Sequence, residues 1–132
     1  MNNLAWILAT APDAKLRDPA RAVELAAKAA ELKPLEGDLR GTLGTARYRA
    51  GDWKGAIVDL EKAIGLRPAD DPVNAYEGFF VAMARWQLGD KDQARIWFDK
   101  SERWMENGKQ DDPELKRFRT EAAELLGIKT KN

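Results

Sequence analysis

The residues that come nearest to chemistry in this chain are two adjacent carboxylate pairs, Asp70-Asp71 and Asp111-Asp112. Paired carboxylates can divide acid and base roles, or contribute to a calcium site of about six to eight oxygen ligands. Each pair here directly precedes a Pro, as turn and helix-cap residues do, and no further oxygen-ligand spacing accompanies either. Gly41-x-x-Gly44 has the outline of a phosphate- or strand-clamping loop, but it lies inside a helical pattern instead of following a strand, so close helix packing is its reading. The chain has no Cys and no His. That removes disulfides, thiolate catalysis, sulfur-built zinc sites and the commonest general base and metal ligand. The 22 acidic and 22 basic residues are interspersed and cancel, leaving no basic footprint for a phosphate backbone. The expectation is a non-enzyme with no catalytic residue, metal or cofactor and no nucleic-acid partner.

The elements that must position any site are helices. Leu4 to Ala11 is apolar but lacks the basic start of a signal peptide and is too short to span a bilayer. No other window approaches a membrane span, and the reading is a cytoplasmic, single-domain protein of 132 residues. Asp18-Pro19 and Asp112-Pro113 are N-cap and first-turn Pro signals. Gly51-Asp52 and Gly89-Asp90 each close one helix and cap the next. The helix after Asp52 carries Trp53, Ala56, Ile57, Leu60, Ala63 and Ile64 on one stripe. The helix from about Val73 to Leu88 is apolar around much of its circumference, which calls for neighbours on most sides. The last helix buries Leu115, Phe118, Ala122, Leu125 and Leu126, and its Lys116, Arg117, Glu121 and Glu124 are expected to face water.

These helices repeat. Asp18, Ala22, Ala29, Leu32 and Pro34 recur 34 residues further on as Asp52, Ala56, Ala63, Leu66 and Pro68, and Gly51-Asp52, Ala56 and Leu60 recur 38 residues on as Gly89-Asp90, Ala94 and Phe98. Such periods mark repeat architectures, whose units bury their apolar faces only against stacked neighbours. In the central unit Leu43-Gly44, Gly51-Asp52-Trp53, Ala56-Ile57, Leu60, Ala63, Leu66 and Pro68 match the order of large and small residues in the 34-residue tetratricopeptide repeat, which the chain resembles over about residues 3 to 106. Arg40 and Arg47 stand where that family usually has Trp and Tyr. Ala11-Pro12-Asp13 lengthens the first inter-helix turn, and in the third unit Ser101 replaces Ala and the terminal Pro is missing. The wording of Asn2-Asn3-Leu4-Ala5-Trp6, Arg17-Asp18-Pro19 and Trp86-Gln87-Leu88-Gly89-Asp90 is similar to arrays attached to bacterial signalling proteins such as serine/threonine kinases.

The resemblance implies an all-α superhelix of about three repeats, near 3–36, 37–70 and 75–108, with a capping helix near 113–127. It further implies a concave groove lined by the first helix of each unit, presented to a peptide or helix of a partner protein. Carried over position by position, the groove residues expected to hold a partner are Tyr48, Arg49, Tyr76, Phe79, Met83 and Trp86. The carboxylate clamp of co-chaperone members is not expected, since its positions hold Ile7, Ala11, Gly41, Thr45, Phe79 and Met83. A second reading is a spacer or self-association module whose groove is filled by its own last helix or by a second copy. The abrupt apolar start at Leu4, Trp6, Ile7 and Leu8 suggests self-association through the N-terminal edge, or a longer array.

Overall fold

The computed structural model describes residues 4–129. It is all-α: α1 (Leu4–Thr10), α2 (Pro19–Leu32), α3 (Gly37–Arg49), α4 (Trp53–Gly65), α5 (Asn74–Gln87), α6 (Lys91–Glu106) and α7 (Pro113–Leu126), with a single 3₁₀ turn at Ala14–Leu16 and no strand among the described residues. The first expected repeat was drawn from residue 3, which lies outside the described residues, as do Asn2 and Asn3.

The Gly-Asp signals act as their chemistry requires. Gly51 and Gly89 take φ of 87° and 86°, a region open to Gly because it has no Cβ. The next amides, Asp52 and Asp90, reach back to the carbonyls of Arg47 and Arg85 at 2.9 Å, closing α3 and α5. The same Asp side chains then accept from the amides of Gly55 and Gln93 and so open α4 and α6. Asp18 does this for α2 and Asp112 for α7, each with Pro at the first helical position.

Helices α1/α2, α3/α4 and α5/α6 form three hairpins stacked in chain order, α2 on α3 and α4 on α5. Close approach within and between them depends on small residues. A Cβ on Gly44 would stand 2.6 Å from Leu60 Cγ, and one on Gly78 would collide with the buried Ser101 hydroxyl, so Gly78 and Ser101 are a matched pair. At the two departures from the aromatic pattern, Arg40 and Arg47 converge on Asp59 at 3.3 and 2.8 Å, replacing ring packing between α3 and α4 by a guanidinium–carboxylate–guanidinium bracket.

The main core joins α4, α5, α6 and α7, with Trp6 of α1 and Tyr48 of α3 reaching into it. Helix α5 is buried continuously from Gly78 to Ala84, in keeping with its apolar circumference: Phe79 meets Phe98 of α6, and Phe80 meets Phe118 of α7. A polar knot fixes the seam of α3, α4 and α5. Arg67 pairs with Asp38 at 2.7 Å and with the fully buried Glu77, whose carboxylate fills the space that a side chain on Gly41 would need.

Candidate functional site

The concave face made by the first helices is occupied, and its occupant is α7. Of the helices that precede them, α3 packs most on α2 and α5 most on α4, whereas α7 packs more on α5 than on α6. It turns out of the solenoid progression and into the groove. Phe118 is its anchor, fully buried and edge-on to Phe80 at 4.9 Å, Trp6 at 5.8 Å and Tyr76 at 6.3 Å between ring centroids. Edge-to-face pairs of this kind add about 0.5–1.5 kcal/mol each beyond the area they bury.

Polar contacts flank the anchor and reach all three first helices. From α1, the Trp6 indole Nε1 donates to Glu114 at 2.9 Å, and Thr10 O accepts from Arg117 at 2.8 Å. From α3, Arg49 donates two hydrogen bonds to the Glu121 carboxylate, the Nη2–Oε1 one at 2.8 Å, while its Nε donates to Ala9 O at 3.0 Å. From α5, the Tyr76 hydroxyl donates to Asp112, whose other oxygen caps α7 through the amides of Glu114 and Leu115. Burial raises the Tyr76 hydroxyl pKa, and Asp112 raises it further. Burial works against the ionised Asp112, but the Tyr76 hydroxyl and the two amides outweigh it and hold that carboxyl below its usual range.

Of the six groove residues expected from sequence, Tyr48, Arg49, Phe79 and Met83 are closed to a partner in this conformation, and Tyr76 and Trp86 stay partly exposed. Phe79 and Met83 are fully buried; Phe79 points at α6, and the α5 rings that meet α7 are Tyr76 and Phe80. Tyr48 is buried edge-on to Phe80, and burial raises its hydroxyl pKa. Arg49 is sealed by Glu121, its side chain 8% exposed. Tyr76 and Trp86 are part-buried, Trp86 with Lys91 Nζ over its ring at 4.8 Å. The expectation that Arg117 and Glu121 face water is corrected likewise: both are half-buried and point at α1 and α3. Asp112, Glu114 and Phe118 are site residues that lie beyond the repeat pattern, and Trp6, at a large position of that pattern, joins them.

The carboxylate pairs serve local structure. Asp71 accepts from the amide of Val73 at 2.9 Å in the turn before α5, and Asp112 is the α7 cap. Among the described residues, no helix is long and apolar enough to cross a membrane. At the N-terminal edge Leu4 and Ile7 are exposed, and a cavity of about 250 Å³ opens between α1, α2 and α3, lined by Leu4, Leu25, Ala26, Ala29 and Leu39. No protein-family model matches the chain. No curated protein matches it either.

Proposed function

We propose that this protein is a non-enzymatic protein-interaction module, a short stack of tetratricopeptide-type hairpins whose concave face receives a helix. The observation that carries this reading is α7 itself: an amphipathic helix is seated across all three first helices by an aromatic anchor and flanking hydrogen bonds, which is the helix-in-groove mode of recognition realised within one chain. The reading includes a cytoplasmic setting in a bacterial signalling context and a protein or peptide partner, with no nucleic acid involved.

A direct test is affinity capture from host lysate by the intact chain and by a Phe118→Ala variant shown by circular dichroism to stay helical, each with and without excess synthetic peptide of residues 111–128. A protein enriched on the variant and released by the peptide supports the reading. Absence of any peptide-competed protein favours the second reading, a spacer whose groove is permanently filled by its own helix. That second reading draws on the burial of Phe79 and Met83, and the exposed Leu4 and Ile7 add self-association through the N-terminal edge to it. Sedimentation over a range of concentrations checks that addition.

A further inference from the structure

We infer that the seat held by α7 selects, in a partner protein, an amphipathic helix with carboxylates at set positions beside its apolar stripe. The inference rests on the interaction-module reading above and specifies the chemistry of the partner. The seat has two components. One is apolar: it takes Leu115, Phe118, Ala122 and Leu126, one face of a helix, with Phe118 enclosed by Trp6, Tyr76 and Phe80. The other is a flank of hydrogen-bonding groups of nearly uniform sense. Trp6 Nε1, the Tyr76 hydroxyl and the Arg49 guanidinium all donate, and each meets a carboxylate of α7, respectively Glu114, Asp112 and Glu121. The acceptor, Thr10 O, meets Arg117.

This pattern discriminates between helices. Arg49 belongs to the groove and is nearly buried, so a helix without a carboxylate at the Glu121 position would leave its cation with the Ala9 carbonyl and the Tyr48 and Phe80 rings but no counter-charge from the seated helix. Burying a charge without its counter-charge costs far more than the pair itself contributes. A fitting helix therefore carries a carboxylate N-cap, a second carboxylate two residues on, an aromatic where Phe118 stands and a carboxylate where Glu121 stands. The resident helix is tethered by a short, mostly exposed connection, Asn107 to Asp111, and packs less on α6 than on α5. Much of its advantage over a free helix is the effective concentration, of order mM, that a short tether gives.

Removing the tether exposes the selectivity. A protease site inserted between Lys109 and Gln110 allows the folded full chain to be nicked, after which fluorescein-labelled peptides of residues 111–128 compete with the resident α7, followed by anisotropy. The native peptide is expected to exchange in, and a Glu121→Lys peptide to bind at least about tenfold more weakly, as loss of a charge-assisted pair requires. Equal exchange of both peptides would overturn the carboxylate requirement while leaving the helix-receiving groove intact. Exchange of neither, with the chain still helical by circular dichroism, would overturn both. Unfolding on nicking would show α7 to be core and not an occupant, and would overturn the inference. A dimer of the uncut chain dispersed by the native peptide would assign the seat to a second copy's α7, which also overturns it.

Discussion

The first hairpin and the last three helices bury different things. In α1 and α2 the buried side chains are Ala5, Ala9, Ala22, Ala26 and Ala30, with Thr10 and one large residue, Trp6. In α5 to α7 they include Phe79, Phe80, Met83, Phe98, Met105 and Phe118. Alanines let helices approach closely but remove little apolar area from water, and hydrophobic stabilisation scales with that area. The first hairpin also leaves Leu4, Ile7 and Leu32 largely in solvent. Its large buried side chain, Trp6, packs edge-on against Phe118 and Tyr76, so α7 fastens the weaker end of the stack to the stronger one. The contrast teaches that filling the groove and holding the array together are done by the same helix.

The sharpest way to break that contrast is to remove its common anchor. Phe118→Ala should lower stability by about 3–5 kcal/mol in urea unfolding, the usual cost of truncating a fully buried Phe, and should loosen the α1/α2 hairpin together with α7 in hydrogen exchange. If only α7 lost protection, α7 would not be what fastens the first hairpin. Gly44→Ala comes next. Its Cβ would press on Leu60 inside the α3/α4 hairpin that joins the two regions, so a loss of about 1–3 kcal/mol is expected, against a gain of up to about 1 kcal/mol for Gly65→Ala, where the space is open.

The polar knot under α5 gives a pH signature. Burial pushes the Glu77 carboxyl from 4.5 up to about 7, with Arg67 opposing. Between those values the unfolded chain releases a proton that the folded chain keeps, so this group's contribution to stability falls as pH rises. The wild-type advantage over Glu77→Gln should accordingly shrink between about pH 5 and about pH 7.5, and a difference that is flat across that range would mean that folding does not raise the Glu77 pKa. The smallest effect belongs to the exposed end: Leu32→Ala, at 83% exposure, should shift stability by no more than about 0.5 kcal/mol in the same assay.

Most of the framework was legible in the sequence because its signals are local. Gly51-Asp52 and Gly89-Asp90 state where one helix ends and the next begins, and the continuous apolarity of α5 called for the neighbours it has on several sides. The groove was not legible, for two physical reasons. A helix apolar all round has no stripe to say which residue faces which neighbour, so positions carried over from a family pattern put Phe79 where Phe80 belongs. The direction of α7 depends on a partner far away in the chain: Leu115, Phe118, Ala122 and Leu126 would suit a helix continuing the stack as well as one turning inward. Glu121 looks like an ordinary solvated charge, and Arg49 like a groove residue awaiting a partner, until α7 brings the two together. Arg40 and Arg47 were visible as departures, but their common target Asp59 emerged only with the packing of α3 on α4.

The most direct examination of the filled groove is an NMR measurement of nuclear Overhauser contacts between aromatic rings in the intact chain. Contacts from the Trp6 indole to the rings of Phe118 and Tyr76 are expected, with the Phe79–Phe98 contact within the α5/α6 hairpin as the internal reference. A spectrum that shows Phe79–Phe98 but no contact between Trp6 and Phe118 would mean that α7 does not lie across the first helices, and would contradict the filled groove.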